Sequence, residues 1–268
     1  MHDDFYAASR PAPLDQADGL RRLFAGRRRQ VLALAANPHV AFSGVVLDRL
    51  AAVLAAQGRQ VLVVDAGATS PPPHELAVLD LAACIETLSP RVSYLPARGL
   101  PLAHVDTRGS AAGFIDALQL AAPQADVLLL HAEGLDLARV FKRRAVRPIL
   151  LGADHPESIK HAYANCKLLV QRCGLMAYDL LIAAAPQSPR AGPIAESLAG
   201  CAENFLGAAM LHTALIDPAG DPAALPGEDL APLLAAQLAL DEGQPAWPGA
   251  GPALRPSPVR DLNRSALR

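Results

Sequence analysis

Six short apolar runs alternate with longer helical patterns from Arg29 onward, and this alternation limits the fold more than any other feature of the chain. The runs are VLALA (31–35), VLVVD (61–65), VSYLP (92–96), VLLLH (127–131), PILLG (148–152) and DLLIA (179–183). Each is apolar on both faces, as strands buried on both sides of a parallel sheet are. Helical patterns at Ser43–Gln57, Ser110–Ala121, Pro156–Cys173 and Gly192–Leu206 fill four of the gaps. Strands alternating with helices imply right-handed crossovers, so the expected fold is α/β, a doubly wound and mostly parallel sheet.

A chain of 268 residues that is 51% apolar fits one domain of roughly 200 residues with appendages better than two full domains. The expected organisation is a flexible N-terminus with a short helix over 1–28, an α/β domain over 29–207, and an Ala/Pro/Gly-rich, mostly disordered tail over 208–268. One island in that tail, Asp229 to Leu240, is expected as a docking or transient helix. It has no basic residue to meet anionic lipid. The N-terminal helix places Leu14, Ala17, Leu20, Leu23 and Phe24 on one stripe, and its length and Gly19 mean that it needs a surface to fold against.

Charge is nearly balanced, with 24 basic and 26 acidic residues, which gives no general attraction to nucleic acid or to an anionic membrane. Cys84, Cys166, Cys173 and Cys201 are widely spaced, with neither a CxxC pair nor a metal-ligand spacing, and read as reduced thiols with no metal site. No apolar run reaches the ~18 residues of a membrane-spanning helix and no leader pattern opens the chain, so a cytoplasmic location is expected.

In such a sheet the ligand site lies at the carboxyl ends of the strands, and the loop after the first strand carries the phosphate cradle. Here that loop is AANPHVAFSG. A cradle needs glycines so that backbone N–H groups can turn inward, a lysine for the phosphates and a hydroxyl for Mg²⁺. The loop has no lysine, one glycine (Gly44), and Pro38, which lacks an N–H. Ser43 is the expected N-cap of the next helix. Asp65 stands where a metal-linked acid would sit and is read as a cap for the following turn. His131 ends the fourth run and, with no Ser or Cys nucleophile evident beside it, is read as a satisfied strand-end histidine. The basic run Arg139 to Arg147 has no interleaved aromatics and is read as surface charge, as are Arg27, Arg28 and Arg29.

Together these stretches resemble the FlhG/FleN branch of the MinD/ParA-like ATPases, from about Asp15 to about Gly207. The most specific piece is DQADGLRRLF, in which Asp15, Gln16, Ala17, Leu20 and Arg21 match the DQAxxLR helix of that branch. LAAVLAAQGRQVLVVDA is similar to the family's first helix and second strand. DHPESIKHAYANCKLL is similar to its PExxSxxxAY segment through Pro156, Glu157, Ser158 or Ile159, Ala162 and Tyr163. The departures are concentrated in the nucleotide machinery. Pro38, His39, Val40, Ala41, Phe42, Ser43 and Gly44 stand against KGGVGKT; Asp65-Ala66-Gly67 stands against DxD; His131-Ala132-Glu133-Gly134 stands against DxPAG.

The resemblance implies a ParA/MinD-like fold without a functional P-loop, no ATP or Mg²⁺ cofactor, and no catalytic residue. It implies a regulator of flagellar number that binds and stimulates an FlhF-like signal-recognition-type GTPase through Asp15, Gln16, Ala17, Leu20, Arg21, Leu23 and Phe24. Other flagellar basal-body components are further partners it allows, with recruitment to the cell pole or the inner membrane face. Two alternatives stand beside it: an active MinD-like ATPase that uses Asp65 with arginines borrowed across a dimer, and a non-catalytic adaptor of another polar or envelope system that uses the tail.

Overall fold

The computed structural model describes residues 29–142, 144–220 and 229–240. Its centre is one eight-stranded sheet in the order β3-β4-β2-β5-β1-β6-β7-β8. The strands are β1 (Gln30–Ala35), β2 (Val61–Ala66), β3 (Glu86–Ser89), β4 (Val92–Pro96), β5 (Val127–Ala132), β6 (Ile149–Ala153), β7 (Ala177–Ala183) and β8 (Ala209–Ile216). Every pairing is parallel except the β3–β4 hairpin. The helices are α1 (Ser43–Ala56), α2 (Leu100–Ala103), α3 (Gly113–Ala121), α4 (Gly134–Val140), α5 (Pro156–Cys173), α6 (Ala191–Leu206) and α7 (Leu230–Leu238). Two short 3-10 turns, Glu75–Val78 and Ala82–Cys84, lead from β2 to the hairpin.

All six apolar runs become strands, because their consecutive side chains feed two separate cores. On one face Leu62, Val64, Leu128 and Leu130 pack with Phe114 and Ile115 of α3, Leu137 of α4, Leu169 of α5 and Leu198 of α6. On the other face Leu32, Leu34, Val63 and Leu129 pack with Val46, Leu47, Leu50 and Leu54 of α1. At about 25 cal/mol per Å² of apolar surface removed from water, this two-sided burial is the main stabilising term. Helix α5 shows how its ends are set: Pro156 occupies the first turn, where its missing N–H costs nothing, and Gly174 stops it in the left-handed region at φ 66°.

The tail expected from residue 208 begins too early. Residues 209–216 form the edge strand β8, paired in parallel with β7, and Asp229–Leu240 holds helix α7, which buries Leu230, Leu233 and Leu234 on the α1 face of the sheet. The sequence AMLHTALI is polar at two central positions and half-buried over much of its length, which hides it from a search for continuous apolar runs. The N-terminal helix with Asp15, Gln16, Ala17, Leu20, Arg21, Leu23 and Phe24 lies outside the described residues, as does 241–268. No helix among the described residues is long and apolar enough to cross a membrane.

Candidate functional site

The order of the strands brings the three singled-out stretches together. β5 lies between β1 and β2, in the register Leu34↔His131, Ala35↔Ala132 and Asp65↔His131. The loop after β1, the turn after β2 and the end of β5 therefore meet at one edge, where the chain order reverses and a ligand crevice is expected.

The β1–α1 loop is closed on itself and on its neighbours. Ala36 N–H donates to Ala132 O (2.8 Å) and Val40 N–H to Asn37 O (3.0 Å). His39 N–H donates to Asn37 Oδ1 (3.1 Å). The buried Asn37 amide donates to Leu151 O and Ser158 O, both at 2.8 Å, and to Ser158 Oγ at 3.1 Å. These N–H groups are thus spent inside the protein. The helix cap differs from the expected Ser43: Ser43 is the first helical residue, and Phe42 is the N-cap, at φ 58° and ψ 39° with no side-chain cap. Phe42 is the one non-glycine with positive φ among the described residues, and it stands 74% exposed. A left-handed phenylalanine carries strain of order 1–3 kcal/mol that its own packing does not repay.

Asp65 and His131 form a buried dyad. Asp65 Oδ1 lies 2.8 Å from His131 Nδ1 and also accepts the Gly67 N–H at 3.1 Å. Because an ionised carboxylate only accepts, the imidazole proton belongs on Nδ1, which leaves Nε2 as an acceptor. His131 is 2% exposed, and its Nε2 has no hydrogen-bond partner among the described residues. Asp65 therefore caps its turn as expected, whereas His131 is satisfied at one nitrogen only. The same ring explains Gly67: a Cβ there would stand 2.8 Å from His131 Cε1 and 3.1 Å from its Nδ1. An acid at this position has no space while His131 is in place. Gly134 is held by the same rule, since a Cβ would run into the Asn165 amide, which donates to Ala36 O.

The surrounding groups are polar but engaged. Ser70 Oγ donates to Asp65 O at 2.7 Å, so it does not face the imidazole as a nucleophile. Burial, then the Asp65, Glu86 and Asp48 carboxylates, push the Tyr94 phenol up, against a lowering contact with Ser70. Burial also raises Asp48. Glu133 Oε1 accepts the Ala68 N–H at 3.1 Å. No group of three or more His, Cys, Asp or Glu among the described residues is placed to hold a metal ion.

Two clusters escape sequence reasoning because their members are far apart in the chain. His39, His155 and His161 meet beside the loop, with ring centroids 6.1 Å (39–155) and 5.9 Å (39–161) apart. Beside the start of β6, Arg147 Nε donates to Asp179 Oδ2 (3.0 Å), as does Gln237 Nε2 (2.7 Å), while His212 N–H donates to Asp179 Oδ1 (3.1 Å). Gln237 also donates to Arg147 O (2.9 Å) and so ties α7 to the sheet. Arg147 is 6% exposed and Asp179 fully buried, so at Arg147 the reading of this basic run as surface charge is corrected. Three others of the run are bonded to their surroundings: Arg139 to Asp136, Arg144 to Asp116, and Lys142 to Arg108 O. The four cysteines are free thiols, and burial pushes Cys166 up to about 12.

No protein-family model matches the sequence, and no curated protein matches it. Solved structures do share the fold. A plasmid partition protein of Borrelia burgdorferi bound to AMPPNP superposes with a TM-score of 0.55 at 10% identity, over 78% of this chain and 97% of that one. Another structure of a Borrelia burgdorferi plasmid partition protein gives 0.53 at 9% identity, over 73% and 93%. Apo McdA of Cyanothece gives 0.51 at 13% identity, over 71% and 87%. The chain therefore shares the α/β fold of these plasmid partition proteins and of McdA.

Proposed function

We propose that this protein is a ParA/MinD-type regulator of flagellar biosynthesis that has given up nucleotide hydrolysis and works by binding. The observation that carries the first half is the strand-end geometry: His131 is paired with Asp65 and fills the space beside Gly67 where a water-positioning acid would stand. The β1–α1 loop supports the same reading. The N–H groups of Ala36, His39 and Val40 are spent internally, and Phe42 turns outward where the resemblance implies a glycine before a lysine. Removal of single catalytic groups costs a few powers of ten, so loss of the lysines, the second acid and the strand-end Asp together leaves no ATP turnover.

The second half rests on the DQAxxLR match. Asp15, Gln16, Ala17, Leu20, Arg21, Leu23 and Phe24 engage an FlhF-like GTPase, with the apolar stripe packed into the partner and Arg21 or Gln16 ordering its catalytic loop. Isothermal titration with ATP and Mg²⁺, paired with a steady-state GTPase assay of an FlhF-like partner, tests both halves. The expected result is no saturable ATP binding together with GTP hydrolysis that accelerates with the full chain and not with a chain lacking residues 1–25. Tight ATP binding would sink the first half, and an unchanged GTPase rate the second.

One observation favours a second reading. An imidazole oriented by a carboxylate, with its other nitrogen free, is a general-base arrangement, and the Asp65–His131 dyad has that form. ATP turnover that requires both residues would point to an enzyme with an unorthodox site.

A further inference from the structure

One face of the molecule leaves large apolar side chains uncovered. The Glu75–Val78 turn, α2 and α3 lie together over the same core. Ala77 and Leu81 bury with Phe114, Ile115 and Leu118 of α3, the turn packs on α2, and the His104 ring at the end of α2 stands 5.1 Å from that of Phe114. The outer sides of these elements are apolar as well. Leu79 is 87% exposed and Leu120 of α3 82%, and Leu76, Val78, Leu102 and Val105 are exposed beside them. Single exposed leucines are ordinary, but large apolar side chains gathered on three neighbouring elements mark an interaction surface.

The chain enters the described body next to this surface. Arg29 donates through Nη1 to Gln119 O (2.6 Å) and through Nη2 to Pro123 O (2.9 Å), which pins the start of β1 to the C-terminal end of α3, where Leu120 stands. The residues before Arg29 carry the stripe Leu14, Ala17, Leu20, Leu23 and Phe24, which needs a surface in order to become helical. Residues 25–28 reach at most about 14 Å from Arg29. A helix over 14–24 is about 16 Å long, against about 14 Å for α3. Such a helix is long enough to run from the Leu120 end of α3 to α2 and the 3-10 turns.

The charges agree with that placement. Residues 71–90 expose Glu75, Asp80 and Glu86 and contain no Lys or Arg, whereas residues 19–28 contain Arg21, Arg22, Arg27 and Arg28 and no acid. Attraction between exposed charges fades over a Debye length of about 8 Å, so it favours a segment already tethered at the site over one arriving from solution.

We propose that residues 14–24 fold as a helix onto the body of their own chain, with the stripe packed on the surface formed by the Glu75–Val78 turn, Leu79, α2 and Leu120. While docked, the stripe is withheld from other proteins, and a partner binds it with an affinity reduced by the docked fraction. The inference does not depend on which protein that partner is. The test is hydrogen exchange followed by mass spectrometry on the full-length protein. Amides of residues 17–24 are expected to exchange about 10- to 100-fold more slowly than in an unstructured chain, the effect of burying one leucine. Leu79→Glu and Leu120→Glu are each expected to abolish that protection while the amides of β5 keep theirs, since both substituted side chains are exposed. Leu102→Glu serves as a third variant if either of these fails to fold. Exchange of residues 17–24 at unstructured rates in the natural chain, protection that survives all the substitutions, or protection that disappears on dilution, as docking on a second copy requires, overturns the proposal.

Discussion

Alanine at position 67 gives a direct measure of how tightly the strand-end site is closed. Gly67 is outside the left-handed region, so the substitution meets no backbone strain, and the cost is steric. The new Cβ would stand 2.8 Å from His131 Cε1, well inside van der Waals contact, and the ring cannot retreat because Asp65 holds its Nδ1 at 2.8 Å and the residue is buried. Overpacking of this kind costs about 1–3 kcal/mol. Once His131 is alanine, the nearest remaining atom is Asp65 Oδ1 at 3.3 Å, and glycine-to-alanine at a permitted backbone stabilises by about 0.4–1 kcal/mol through the unfolded state. A double-mutant cycle of Gly67→Ala and His131→Ala should therefore show a coupling energy of about 1.4–4 kcal/mol, the cost in one background plus the gain in the other. Urea denaturation followed by far-UV circular dichroism is the suitable assay, because unfolding removes both the helices and the sheet. Equal costs for Gly67→Ala in the two backgrounds would refute the packing argument and remove the main support for a lost hydrolytic site.

Two further outcomes are expected. Asp179→Ala leaves the buried Arg147 guanidinium without its partner and should lower stability by about 3–5 kcal/mol, whereas Arg147→Met with Asp179→Leu together should cost less; a loss under about 1 kcal/mol for Asp179→Ala would contradict the network described. His104 and His161 are held below the usual imidazole range by burial, so the unfolded chain takes up protons first. Stability is then full above about pH 6.5 and is lost as pH falls below it. Denaturation midpoints at pH 7.5 and 5.5 should show that loss, and it should shrink in a His104→Gln, His161→Gln variant; Asp48, raised by burial, acts in the opposite sense in a lower window.

The parts of the fold legible in the sequence are those in which one residue type serves one purpose. VLALA or VLLLH can be buried on both faces and nowhere else, and Pro156 with Gly174 marks both ends of α5. The hairpin strand ETLS was hidden because all four of its residues are exposed and carry no apolar pattern. The loop 38–44, Asp65, Gly67 and His131 could be placed together, since strand ends in this topology must converge. Their chemistry could not, because the Asp65–His131 pairing depends on a cross-strand register that neither run encodes alone. The same holds for His39 with His155 and His161, which sit on elements more than 100 residues apart in the chain.

The place of β1 in the sheet also fixes when this protein can fold. Its two neighbours are β5 and β6, and its first pairing, Gln30 with Val127, joins residues nearly 100 positions apart. At synthesis rates of about 5–20 residues per second, the apolar run VLALA waits roughly 5–20 s on the ribosome before a strand exists to receive it. The last strand among the described residues, β8, and helix α7 behind it close the opposite edge later still. Nascent chains of this protein therefore spend their longest vulnerable interval with the future centre of the sheet uncovered, the stage at which a ribosome-associated chaperone has most to hold.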